Sequence, residues 1–227
     1  MSLDDVLARA DVWRARECAP AARPGVPSGW AMLDACLPGG GWPRGALIEM
    51  LVAGEGMGAL AVLLPALVRL GGEGRWIVFV APPHIPYAPA LAAAGIDLAR
   101  VLVVSRRRAD RGGRLSLWAC EQALRSGAAA AVLAWIDPID MTALRRLQLA
   151  ADAGDALGVL FRPRDAAAAP SPAAVRILVD AIGGDTALRI VKIRGAANSP
   201  SLRIPARHAP CSHGERGGGE GRDARRD

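Results

Sequence analysis

The side chains with most chemistry to offer in this sequence are guanidinium groups. Arg106, Arg107 and Arg108 stand in a row, Arg111 and Arg114 follow, and a second pair, Arg145 and Arg146, lies further on. Arginine presents a planar fork of donors that matches carboxylates and phosphates two bonds at a time, so such clusters suit an acidic protein surface or a nucleic-acid backbone. The plain alternatives are a solvated charged loop for the first cluster and a solvated helix rim for the pair. Lys192 is the one lysine among 28 basic residues, which removes almost every candidate for a catalytic amine. The four cysteines, Cys18, Cys36, Cys120 and Cys211, contain no Cys-x-x-Cys pair, and His84, His208 and His213 are equally dispersed. No metal-ligand set forms, and Cys120, inside an apolar helical pattern, reads as a buried thiol. Neither a metal nor another cofactor is expected. A net charge of +6 and a pI near 10.0 favour phosphate or acidic partners and permit weak DNA binding.

These groups need a scaffold, and the apolar pattern supplies one. With 52% hydrophobic and 22% charged residues the chain reads as globular. Arg69 and Arg75 interrupt the longest apolar stretch, so no membrane span is expected, and the acidic start, Asp4 and Asp5, lacks a signal layout. A cytoplasmic protein is the expectation. Residues 1–25 read as an N-terminal helix and linker, 26–204 as one core domain, and 205–227 as a disordered basic tail. Apolar runs at 47–52, 76–81, 101–105, 130–136 and 157–161 alternate with helical stretches at 57–70, 86–94, 115–126 and 140–153. Strands that are apolar throughout must be covered on both faces, which predicts an α/β fold with a mostly parallel sheet flanked by helices. Residues 175–182 and 186–194, joined through Gly183, Gly184 and Asp185, read as a C-terminal antiparallel hairpin.

The stretch 26–50 carries more specific information. Ser28 is placed to cap a helix with Leu33, Ala35 and Leu37 inward, Gly39, Gly40 and Gly41 let the chain reverse, Pro43 stiffens the exit, and Gly45 precedes a strand bearing Glu49. This order resembles the lead-in to the ATPase core of RecA and its relatives. In those proteins the strand feeds a loop, Gly-x4-Gly-Lys-Thr or Ser, whose lysine and hydroxyl hold phosphate and magnesium. The resemblance sets Ala53, Gly54, Glu55, Gly56, Met57, Gly58, Ala59 and Leu60 in that place. Ala59 stands for the lysine and Leu60 for the hydroxyl, so the loop is degenerate. Pro82, Pro83 and His84 follow the second strand, where the relatives carry a catalytic glutamate. Asp137 resembles the acid closing the magnesium-side strand, but without a partner loop it reads first as a strand-end cap before Pro138, and no catalytic role is assigned to it.

Three strings then occur in order: APPHIPYAPAL at 81–91, ALRSG at 123–127 and LRRLQLAA at 144–151. With PSPAAVRI at 170–177, they resemble the ImuA family of translesion-synthesis-associated proteins, degenerate RecA relatives, over about 26–195. That resemblance implies a non-catalytic accessory protein of mutagenic DNA repair under SOS control. Its implied partners are the Y-family polymerase-like ImuB, an error-prone DnaE-type polymerase and RecA. Two other readings stay open: a SulA-like cell-division inhibitor binding FtsZ, and a RecA-like ATPase with an atypical nucleotide site. Pro83, Pro86 and Pro89 are expected to stiffen the post-strand segment, with Tyr87 anchoring it by packing and Trp118 in the core.

Overall fold

Continuous apolar runs become the strands of a single eight-stranded sheet in the computed structural model, which describes residues 24–54, 58–106, 110, 113–194 and 200–205. The strands are β1 (Ala46–Val52), β2 (Trp76–Val80), β3 (Val101–Val104), β4 (Ala129–Ala134), β5 (Leu157–Pro163), β6 (Val175–Ile182), β7 (Asp185–Ile193) and β8 (Ser201–Ile204). Their order is β3-β2-β4-β5-β1-β6-β7-β8. All pairings from β3 to β6 are parallel, and β7 and β8 add antiparallel strands. The expected hairpin is present, turning through Gly183 (φ 60°) and Gly184 (φ 89°), conformations that glycine adopts without steric cost. Its first strand, however, is antiparallel only to β7 and lies parallel to β1 on its other side, with Glu49 opposite Arg176, whereas its second is antiparallel to both neighbours.

The helices are α1 (Ala31–Asp34), α2 (Ala59–Gly71), α3 (Ala88–Ala93), α4 (Arg114–Arg125) and α5 (Met141–Ala153). The apolar core divides in two across the sheet. On one face Leu33, Trp42, Leu63, Leu67 and Leu70 pack against Ile48, Phe79 and Val159. On the other, Cys120 and Leu124 of α4 and Leu144, Leu147 and Ala151 of α5 pack against Leu47, Val78 and Leu160. Central β1 and β4 are buried through almost their whole length, as a sheet covered on both sides requires.

Several local expectations are corrected. Helix α1 has only four residues and Ser28 does not cap it; its hydroxyl accepts from the Trp30 N–H, while the Ser28 N–H donates to Asp34 Oδ1 at 2.8 Å. Ala35 is exposed, and Leu33 and Leu37 alone face inward. In the glycine run Gly39 and Gly40 adopt φ of 73° and 72°, but Gly41 is extended; a Cβ there would sit 2.3 Å from the Val26 carbonyl oxygen. The run thus lets Val26 and Trp42 pair as an isolated bridge. Trp118 points outward, 61% exposed, and Tyr87, 72% exposed, is not packed into the core as an anchor. The N-terminal helix and the basic tail lie outside the described residues.

Candidate functional site

The carboxyl ends of β1, β2, β4 and β5 converge on a cleft of about 620 Å³, the side where parallel α/β sheets place their ligands. Ala53, Gly54, Gly58, Ala59 and Leu60 line one side of it. Gly58, at φ 73°, turns the chain into α2, and a side chain there would meet Thr186 Oγ1 at 2.3 Å. Ala59 is buried and Leu60 half-buried, so the start of α2 offers the cleft a methyl and an isobutyl group. Glu55 lies outside the described residues.

Aromatic rings line the interior. Trp135 lies on Phe161 with centroids 4.2 Å apart and planes 3° apart, and Phe79 stands 6.3 Å from Trp135 at 12°. The opposite wall is Pro82-Pro83-His84-Ile85-Pro86-Tyr87. It begins after Ala81, a non-glycine residue held at φ 50°, a left-handed conformation that costs free energy and persists only where its surroundings impose it. The Ala81 N–H donates to the Val104 carbonyl at 2.7 Å and the Trp135 N–H to the Val80 carbonyl at 3.1 Å. These bonds hold the ends of β2, β3 and β4 together behind the wall.

Beneath this apolar lining is a buried ion cluster. Glu49, fully buried on β1, accepts from Arg176 Nε at 2.6 Å, Arg162 Nη1 at 3.3 Å and Ser171 Oγ at 2.7 Å. Arg162 also reaches Asp137 Oδ1 at 3.4 Å, and Arg176 donates to the carbonyls of Ala166, Ala167 and Ala169. Two guanidiniums thus face two carboxylates, and both Glu49 oxygens are engaged. Asp137, beyond the end of β4, is held by this ion pair rather than serving as a simple cap. The arrangement ties β1, β5 and β6 to the 164–171 connection. Its trace in the sequence is the charge of Glu49, Arg162 and Arg176 within mainly apolar strands.

The arginine candidates divide. Arg106, just past β3, is exposed and lines a second cavity of about 580 Å³ that shares Pro82, Pro83, Ile85, Trp135 and Phe161 with the first. Arg114 is exposed at the first residue of α4, while Arg107, Arg108 and Arg111 lie outside the described residues. Arg145 is exposed on α5. Arg146 is committed to an ion pair with Glu121 of α4, which raises its pKa through that hydrogen bond; Glu121 also accepts from Arg125 at 2.9 Å. The structure therefore uses Arg146 to join two helices and leaves Arg145 facing water. Cys120 is buried as expected, and burial pushes its thiol up to about 12. Among the described residues no cluster of His, Cys, Asp and Glu could hold a metal, and no helix is long and apolar enough to cross a membrane.

A family model described as "Cell division inhibitor SulA" matches residues 46–158. The SulA protein of Edwardsiella piscicida is 37% identical over 135 residues, covering 58% of this chain and 78% of that protein. The chain belongs to the SulA family. Protein ImuA of Caulobacter vibrioides is 36% identical over 137 residues, again 58% of this chain but 54% of that protein, so the chain spans about half the length of that relative. The crystal structure of SulA from Pseudomonas aeruginosa aligns at 27% identity with a TM-score of 0.42, over 51% of this chain and 97% of that one. Within the SulA-family segment lie β1 through α5 and the start of β5; the lead-in before Ala46 and strands β6 to β8 lie outside it.

Proposed function

We propose that this chain is a non-catalytic, partner-binding protein of the bacterial DNA-damage response, built on a RecA-like layer whose nucleotide loop has lost its chemistry. The observation that carries this reading is the start of α2. Ala59 and Leu60 stand where a phosphate-binding loop needs an ammonium and a magnesium-holding hydroxyl, and the cleft they face is lined by stacked rings and prolines. Without a positive charge and a metal ligand the main electrostatic stabilisation of phosphoryl transfer is missing. Arg162 cannot substitute while it is bound to Glu49 and Asp137. Purified protein with ATP, magnesium and single-stranded DNA should release phosphate at the rate of buffer alone; release that scales with protein concentration would reject the reading.

Two partner assignments have support. Cell-division inhibition through FtsZ is favoured by the family description and by the 37% identity to a SulA protein over 78% of its length. An accessory role in translesion synthesis, with ImuB, a DnaE-type polymerase and RecA as partners, is favoured by 36% identity to ImuA over the same share of this chain. The sheet also continues through β6–β8 beyond the SulA-family segment. Co-sedimentation with FtsZ polymers, set beside capture of purified ImuB and RecA, separates the two.

A further inference from the structure

The apolar wall of the cleft does not end at its mouth. Ile85 is 83% exposed and Tyr87 72% exposed, side by side on a segment punctuated by Pro82, Pro83 and Pro86. A large aliphatic and an aromatic side chain standing in water next to a ring-lined cavity form a continuous apolar surface, a feature of interaction sites rather than of ordinary protein surface. The prolines fix φ along the wall, so the surface is ordered before anything binds and less conformational entropy is lost on association.

The charge around this surface has a definite sign. Arg106 is exposed in the adjoining cavity, which shares five residues with the cleft. The carboxylates near it are already engaged: Asp137 is paired with Arg162, and Asp110, which feels the Arg106 charge, accepts from Leu115 and Ser116. Inside the cleft Arg162, only 7% exposed at its side chain, has a buried Nε with no hydrogen-bond partner among the described residues. An aromatic or branched aliphatic anchor would fit against Trp135 and Phe161, and carboxylates beside it would meet Arg106.

We infer that this cleft and the Ile85–Tyr87 ridge form a docking site for an acidic peptide segment of a partner protein, one that inserts an aromatic or large aliphatic anchor between the prolines and the Trp135–Phe161 stack. The inference rests on the partner-binding reading above and names the surface and the chemistry it recognises. The exposed ridge favours a macromolecular segment over a small molecule, because it extends the apolar surface beyond the cavity. Arg106 selects acidic flanks over basic ones.

The test uses the full chain and three fluorescein-labelled synthetic peptides, followed by fluorescence anisotropy. One carries a single phenylalanine and a leucine among aspartates, the second has lysines for the aspartates, and the third has alanines for the two apolar residues. The first peptide should bind, and the second and third should bind more weakly by at least about tenfold, the difference that one lost anchor or one reversed charge typically makes. Ile85→Ser with Tyr87→Ser, both at exposed positions, should weaken the first peptide at least about threefold with an unchanged far-UV spectrum. Arg106→Glu should reverse the preference between aspartate and lysine peptides. The inference is overturned if the first peptide fails to bind at about 1 mM, if the double variant binds it as tightly as wild type, or if all three peptides bind alike. The same double variant, tested for co-sedimentation with FtsZ and capture of ImuB and RecA, keeps the two readings apart. A partner bound equally by wild type and variant removes the cleft but leaves partner binding intact, whereas peptide binding without any of those partners does the reverse.

Discussion

Glu49 is the residue on which the centre of the sheet turns. A carboxylate fully removed from water is tolerable only with compensating charge and hydrogen bonds, and Arg162, Arg176 and Ser171 provide them at 3.3, 2.6 and 2.7 Å. Replacing it by glutamine leaves two nearly buried guanidiniums with only Asp137 as a carboxylate partner. Glu49→Gln should therefore lower unfolding stability by roughly 3–5 kcal/mol, the usual effect of breaking a buried ion pair from one side, as read from urea denaturation. A change within experimental error would show that the cluster is hydrated and its charges screened. The sequence shows the charges in apolar strands but not their meeting, because the partners of Glu49 lie 113 and 127 residues away. No local pattern encodes that separation; it follows from the strand order, which puts β5 and β6 on either side of β1.

At the scale of elements, α4 shows how a helix start is secured without a cap at the adjoining residue. Gly113 precedes it in a left-handed conformation and supplies no side chain, and Asp110 reaches across instead. Its carboxylate accepts from the Leu115 N–H at 2.9 Å, the Ser116 N–H at 3.1 Å and the Ser116 hydroxyl at 2.6 Å. The Ser116 hydroxyl bond, with the two backbone bonds and Arg106 adding to it, holds the Asp110 pKa below its ordinary value against the opposing effect of burial. A depressed folded-state pKa contributes stability above the unfolded value and loses it as pH falls through the folded one. The stability gap between wild type and Asp110→Asn should accordingly be full near neutrality and shrink below about pH 4, measured as urea midpoints across pH. A gap independent of pH would mean the carboxylate charge contributes nothing. The long elements were legible in sequence because their apolar periods are unambiguous: α2, α4 and α5 and strands β1 to β5 fall within a few residues of expectation. Strand β8 was not, since Ser201–Ile204 offers only four residues with an arginine among them. The helix expected after Ser28 stops at Asp34, whose carboxylate accepts from the Ser28 N–H, a local competition that helix propensity does not register.

For the molecule as a whole, the family segment and the folding unit are not the same thing. The SulA-family match stops at residue 158, yet β6 pairs with central β1 over Ile48–Val52 and brings Arg176 to Glu49. Val175, Ile177, Val179, Leu188 and Ile190 belong to the same apolar cluster as α2. A chain ending after Pro163 should therefore lose the cooperative urea transition seen for the full chain, followed by circular dichroism and tryptophan fluorescence together. A truncated protein with an unshifted midpoint would show that the last three strands are an appendage. The mostly parallel α/β architecture was readable in the sequence, because its apolar runs are long and regularly spaced. The cleft was not, because its lining comes from four strand ends and a proline segment that are remote in the chain.

The same C-terminal strands carry the single lysine. Lys192 sits opposite Arg176 across the β6–β7 pairing, with its ammonium donating to the Ser171 carbonyl at 2.5 Å and its pKa lowered chiefly by burial. A protease that cleaves only after lysine consequently finds one bond in this sequence, and because that bond lies in a strand paired with β6 it should be cut only when β7 peels away. The rate of that one cut is a built-in clock for local opening at this edge of the sheet, readable on a gel without any label.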